Sequence, residues 1–236
     1  MNNALRIRQR MFALALPFTA ALYISAEGIN PKGTDQIVTT TAVALKVLPI
    51  AAKHHTQLFI SGSITELALG ALIISYGAIA MLIRKRGSTT ATIAVLLGGI
   101  GALCGVVVNV LGGINLAAAA TAHVTGDAAA RLLVTNVNSG PGQAFTDVYA
   151  FSEFVAPIVM GVALWRSGRA PRWLAVLFAL GLELAEQTAS VGIAKVILQM
   201  APFALATVLL SIRVWRGTDQ VAPVSDDHEP LLATAR

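Results

Sequence analysis

Charge is scarce in this chain, and the scarcity excludes most soluble functions. Lys and Arg number 17 and Asp and Glu 12, together 12% of 236 residues, against 56% hydrophobic residues and a mean hydropathy of +0.71. So few polar groups cannot cover the surface of a water-soluble domain, and an integral membrane protein is expected instead. Cysteine is nearly absent: Cys104 stands alone in an apolar stretch, which rules out an intrachain disulfide and a multi-cysteine metal site and leaves a small packing residue. Histidines number four. His54 and His55 are adjacent, so on a helix they project roughly 100° apart, and with His123 as the other histidine outside the tail no metal site is expected. P-loop, GxSxG, HExxH and dinucleotide fingerprints are missing as well, and no cofactor is implied. The net charge of +5 does not signal nucleic acid, because the basic residues cluster at the flanks of apolar runs, where they report topology.

Those apolar runs are the main content of the sequence. They predict an all-α, polytopic transmembrane helix bundle over residues 1–216, with about six spans near 11–26, 57–83, 91–118, 145–165, 172–189 and 194–214, and a disordered cytoplasmic tail over 217–236. The first run has the charge and length of a signal peptide too, but its small-residue cleavage pattern is poor and a retained helix is favoured. Ser190-Val191-Gly192 is the expected turn between the last two spans. The third run is rich in glycine, including Gly98, Gly99, Gly101 and Gly105, which lets neighbouring helices approach closely. Arg6, Arg8 and Arg10, then Arg84-Lys85-Arg86, Arg166/Arg169/Arg172 and Arg213/Arg216, all fall on one side of a six-span layout. By the positive-inside rule that side is the cytoplasm of a bacterial plasma membrane, with both termini inside. Two long outer loops remain. Residues 27–56 hold an amphipathic stretch, Asp35 to Leu48, read as an interfacial helix ended by Pro49; residues 123–143 hold an amphipathic segment near Ala128 to Val134 and a turn-rich Asn138 to Gly142.

Against this background four acids stand out, Glu66, Glu153, Glu183 and Glu186, each inside an apolar run. An ionisable group at that depth costs roughly 2.5–3.5 kcal/mol on insertion scales, so it needs a partner, a proton or water. Counting ~1.5 Å per residue from the arginine clusters puts them at ~27, ~20, ~17 and ~21 Å respectively, from the midplane outward, with Asn109 at a similar depth. A shared pocket in the outer half is the simplest arrangement. Phe145, Tyr149 and Glu153 recur every fourth residue along one flank, and Glu183, Glu186, Gln187 and Ser190 share another face. Glu183 and Glu186 repel if both ionise, so the pair should share one proton or meet a cation, Lys195 being the nearest in sequence. Plainer readings stand beside these. Glu66 falls either in its span or among headgroups, Glu186 with Lys195 is equally a structural ion pair, and Asp147 suits a helix entrance.

The Arg-Ser-Gly-Arg-Ala-Pro-Arg-Trp segment at 166–173 and the Ala-Lys-His-His-Thr-Gln-Leu approach at 52–58 resemble small bacterial polytopic membrane proteins of uncharacterised type. In size, helix bundle and buried acids the chain also resembles the compact membrane-bound terpene cyclases of meroterpenoid and indole-terpenoid pathways. That resemblance is architectural and carries no signature motif and no catalytic residue across. It implies a membrane-embedded enzyme acting on an apolar isoprenoid or lipid-like substrate by protonation-initiated cyclisation. On this expectation Glu153 or Glu183 is the proton donor, and Glu66 or Glu186 is the carboxylate that recovers the final proton. Phe145, Tyr149, Phe151 and Phe154 would face the cation and Asn109 and Gln187 would bind polar groups, though interfacial anchoring and packing better explain at least half of these aromatics. The rival expectations are a proton-coupled small transporter and a non-catalytic accessory subunit. Membrane lipids, an amphiphilic small molecule and a membrane partner or second copy are the partners these readings imply; nucleic acid is not among them.

Overall fold

The computed structural model describes residues 3–31, 34, 38–83, 86–121, 126–186 and 193–217, excluding the side chains of 3–6, 120, 121, 183–186, 193–195 and 217. The described residues are helical, in the order α1 (Asn3–Ile29), α2 (Thr41–Lys53), α3 (His55–Leu82), α4 (Ser88–Asn109), a π-helical turn (Val110–Ile114), α5 (Asn115–Thr121), α6 (Asp127–Asn138), α7 (Gly140–Ser167), α8 (Arg172–Glu186) and α9 (Ile193–Gly217). Among them five stretches are long and apolar enough to cross a membrane: Ile7–Ile29, His55–Leu82, Ser88–Ala119, Gly140–Ser167 and Val196–Arg216. The protein is therefore a polytopic helical membrane protein. At ~1.5 Å per residue the 28-residue α3 and α7 reach ~42 Å, enough for a ~30 Å hydrocarbon core with tilt. The expected span 172–189 is represented by α8, whose 15 residues reach only ~22 Å. The expected turn at Ser190 to Gly192 and the tail beyond Gly217 lie outside the described residues.

Short links fix the layout. Arg10 stacks over the Trp215 ring at 5.0 Å, so α1 begins where α9 ends. Gly168, in the left-handed region at φ 66°, stops α7, and Arg213 Nη1 donates to Arg169 O at 3.2 Å, which brings the α7–α8 link to the same end. Arg86, Arg166, Arg169, Arg172, Arg213 and Arg216 are all exposed there. The core is a sheaf of α1, α3, α4, α7, α8 and α9, with α4 against α7 and α1 against α3 as the most extensive pairs. Four rings run through it edge to face or tilted: Tyr76 meets Phe178 at 6.2 Å, Phe178 meets Phe203 at 6.2 Å, and Phe203 meets Tyr23 at 6.4 Å.

Within this apolar sheaf Thr19 Oγ1 donates to Ala15 O at 2.8 Å and lies 2.9 Å from Ser75 Oγ, fully buried. With the threonine proton already engaged, Ser75 is the donor across the α1–α3 interface. Ser75→Ala is expected to lower stability by about 0.6 kcal/mol, the average for interhelical bonds in a membrane bundle; unfolding in mild detergent measures it.

At α7 and α2 the boundaries differ from the sequence expectation for local reasons. α7 begins at Gly140, five residues before the apolar run, because Ser139 is its cap: Ser139 Oγ accepts from Gly142 N at 3.1 Å and Pro141 sits in the first turn, where its missing N–H costs nothing. Asp147 is consequently in the helix's second turn, accepting from Gln143 Nε2 at 2.8 Å, rather than at its entrance. α2 does not stop at Pro49. It starts at a Thr40 cap, whose Oγ1 accepts from Val43 N at 3.3 Å, and runs through to Lys53 with Leu45 and Pro49 on its exposed face. Pro49 offers no N–H to the Leu45 carbonyl, but it lies only one turn from the helix end. One face of α2 is covered: Ala44, Val47, Leu48 and Ala51 pack with Leu116, Ala117, Ala130 and Leu133 into a second apolar cluster joining α2, α5 and α6.

Candidate functional site

At the end of the bundle opposite the arginines, α1, α3, α4, α7 and α9 line a partly open cavity of about 390 Å³, within the range of roughly 300–1,000 Å³ typical of small-molecule sites. α1 contributes Tyr23 and Glu27, with Asn30 just past its end; α3 contributes Ser61 and Thr65; α7 contributes Thr146, Tyr149 and Glu153; α9 contributes Gln199 and Met200. Gly105, Asn109 and the π-helical turn form a further wall. The chamber face of α7 reads 142, 146, 149, 153, steps of four, three and four that keep one helical side turned inward. Tyr149 Oη donates to Glu153 Oε1 at 2.6 Å, one turn away. Below Glu153 a narrow void of about 10 Å³ is lined by Tyr76, Gly101, Ser152 and Leu182.

The π-helical turn shapes the opposite wall. α4, the turn and α5 form one continuous rod, and inserting wider i→i+5 geometry at Val110–Ile114 swells the rod where it borders the cavity, with Gly112 and Gly113 facing in. Asn109 Nδ2 donates to Gly62 O on α3 at 2.9 Å, clamping the start of the turn to its neighbour. Ser61 Oγ donates to Ala26 O at 2.9 Å and holds the end of α1 against α3 in the same way.

Of the residues singled out from the sequence, Glu153, Tyr149 and Asn109 meet in this lining. Glu66 lies on α3 beside the lining residue Thr65 but is not part of the wall; its Oε1 is buried without a hydrogen-bond partner among the described residues. Phe145, Phe151 and Phe154 point away from the chamber, 38%, 62% and 55% exposed on the lipid-facing side of α7. Glu183 and Glu186 belong to α8, whose Leu182 borders the void under Glu153, but their side chains fall outside the described residues, as does all of Gln187. Sequence reasoning missed Tyr23, Glu27 and Asn30. The apolar run ends at Ala26 while the helix continues to Ile29, and the four-residue step from Tyr23 to Glu27 was the available signal. It also passed over Ser61 and Thr65, another four-residue pair.

Among the described residues no three His, Cys, Asp or Glu side chains are grouped to hold a metal. No protein family, curated protein or solved structure matches the chain. Fold and site therefore define its class: a polytopic helical membrane protein with an amphiphilic chamber in one half of the bundle.

Proposed function

We propose that the protein is a membrane-embedded enzyme in which Glu153 acts as a carboxylic acid on an apolar isoprenoid or lipid-like substrate, with protonation-initiated cyclisation as the reaction. The observation that carries this reading is the Tyr149–Glu153 pair, held at 2.6 Å in the wall of a cavity large enough for such a substrate. Glu153 must be neutral to donate. Its proton passes to an alkene carbon or an epoxide oxygen, the electron pair of a second alkene closes the ring, and the resulting cation sheds a proton to a carboxylate. Glu27 is the other carboxylate in the described lining. Substrate and product are then isomers, no cofactor is consumed, and Tyr23 and Tyr149 are the aromatic residues in the described lining.

Leu72, Tyr76, Ala156, Met160, Phe178 and Phe203 fill the interior toward the arginine end, each at most 6% exposed, and close the chamber on that side. A lipid-dissolved substrate reaches the chamber from the bilayer. On the positive-inside rule the arginine end lies in the cytoplasm, and the membrane in this reading is the bacterial plasma membrane. Membranes from cells expressing the chain, supplied with isoprenoids and prenylated aromatic compounds, are expected to form a product of unchanged mass that control membranes do not make. No such isomer from any member of that panel would end the reading.

A further inference from the structure

Tryptophan keeps company with arginine in this chain. Its three tryptophans, Trp165, Trp173 and Trp215, each adjoin an arginine in sequence: Arg166, Arg172 and Arg216. The fold gathers these pairs at one end, where Arg172 stacks over the Trp165 ring at 5.2 Å, Arg10 over the Trp215 ring at 5.0 Å, and Arg213 Nη1 donates to Arg169 O at 3.2 Å. Gly87 lies so close to the end of α7 that an added Cβ would fall 2.8 Å from Ala163 O, which brings the neighbouring Arg86 there too. All three indoles are exposed. On a membrane bundle exposed tryptophans settle at headgroup level, where the ring meets acyl chain and polar group together. The guanidinium groups beside them therefore lie at the depth of lipid phosphates.

Charge at this end is one-sided. Glu27 and Glu153 line the chamber, Glu66 lies beside its wall, and Asp127 and Asp147 stand in the first turns of α6 and α7, so the described carboxylates are all elsewhere. None is left to pair with Arg86, Arg166, Arg169, Arg172, Arg213 or Arg216, all of them exposed. Topology does not account for the choice of residue, because lysine satisfies the positive-inside rule as well as arginine does. Yet of Lys32, Lys46, Lys53, Lys85 and Lys195, Lys85 alone belongs to an arginine cluster. What arginine adds is a planar fork of five N–H groups that grips a phosphate through two bonds at once. Stacking on an indole occupies the face of the guanidinium and leaves that edge available, and Arg213 spends one of its donors on Arg169 O and keeps the others.

We infer that the corner formed by the α7–α8 link and the end of α9 is a binding site for the phosphodiester headgroup of an anionic phospholipid, held by Arg169, Arg172 and Arg213. The occupant is a lipid and not a free phosphate, because the indoles of Trp165 and Trp215 fix the site at the membrane surface, where the acyl chains of a bound lipid continue into the bilayer. The inference uses no part of the chamber and stands apart from the enzyme reading.

The tryptophans report on the site directly, since every one of them lies at this end. The full chain is placed in phosphatidylcholine nanodiscs in which a small fraction of the lipid carries brominated tails, on phosphatidylglycerol in one series and on phosphatidylcholine in the other, and bromine quenches the indoles it touches. Brominated phosphatidylglycerol is expected to reach half-quenching at a mole fraction at least ~5-fold lower. The triple variant Arg169→Lys, Arg172→Lys, Arg213→Lys keeps the charge on exposed positions and should lose most of that preference, whereas Arg131→Gln, on α6 at the other end, should keep it. A lysine variant that prefers phosphatidylglycerol as strongly as wild type would show surface potential and no site, and overturns the inference. Displacement by millimolar inorganic phosphate at constant ionic strength overturns the lipid as occupant. Equal quenching by the two lipids in the wild-type chain, the result if Asp226, Asp227 and Glu229 of the tail hold these arginines instead, overturns it as well and needs no variant.

Discussion

Glu153→Gln is expected to lower the rate of product formation by roughly 10²–10⁴-fold while the protein stays folded, the range that positioned proton donors contribute. Glutamine matches glutamate in shape and still accepts from Tyr149 Oη through its amide oxygen, so the 2.6 Å contact survives in kind. What it loses is the acidic proton. The Tyr149 bond to Oε1 orients the carboxyl group one helical turn away. Tyr149→Phe therefore tests position apart from acidity: the acid remains but loses the phenol bond to Oε1, and a loss of about tenfold is expected, equivalent to ~1.4 kcal/mol of transition-state stabilisation. Both losses should fall on kcat rather than KM, because neither change removes apolar surface that binds the tail. Initial rates with purified protein, each variant checked for intact unfolding behaviour, decide the matter. A Glu153→Gln protein that turns over at the wild-type rate has some other acid.

The parts of the fold that were legible in the sequence are those set by local requirements. α3 and α7 had to be long because a hydrocarbon core must be crossed with every backbone group bonded internally, and an apolar run of that length has few other solutions. The start of α7 was not legible from hydrophobicity because a hydroxyl cap, Ser139, sets it upstream of the apolar run. The rotation of α7 was hidden for a deeper reason. In water an apolar face must turn inward, but in lipid both faces of a helix are apolar, so Phe151 and Phe154 carry no information about which side is the interior. Polar side chains do carry it: Thr146, Tyr149 and Glu153 all face the chamber, and ranking α7 by its polar residues alone recovers the right side. Glu27 was lost to a boundary error of three residues, since a residue assigned to a loop is not searched for partners in a span.

Gly101→Ala should be among the most destabilising single-methyl additions in the bundle. A Cβ built at Gly101 on α4 comes within 2.5 Å of Ser152 Cβ on α7, a contact between two atoms fixed to backbone, and α4 with α7 is the most extensive helix pair. Carbon atoms attract only beyond ~3.5 Å, so the two helices must part by about 1 Å along a seam that is otherwise close-packed. Overpacking of this kind costs ~1–3 kcal/mol, and separation here also acts on the site, because Ser152 and Glu153 are consecutive and Gly105, one turn along α4, would place a Cβ 2.7 Å from the Tyr149 ring. Gly99 on the same helix supplies the contrast: nothing lies within 4 Å of its added Cβ, so Gly99→Ala should be neutral or stabilise by up to ~1 kcal/mol through helix propensity alone. Unfolding of the two variants in the same detergent separates a packing effect from a backbone effect. Equal stability would mean that α4 and α7 part without penalty, and the 2.5 Å approach at Gly101 would then not mark a tight seam.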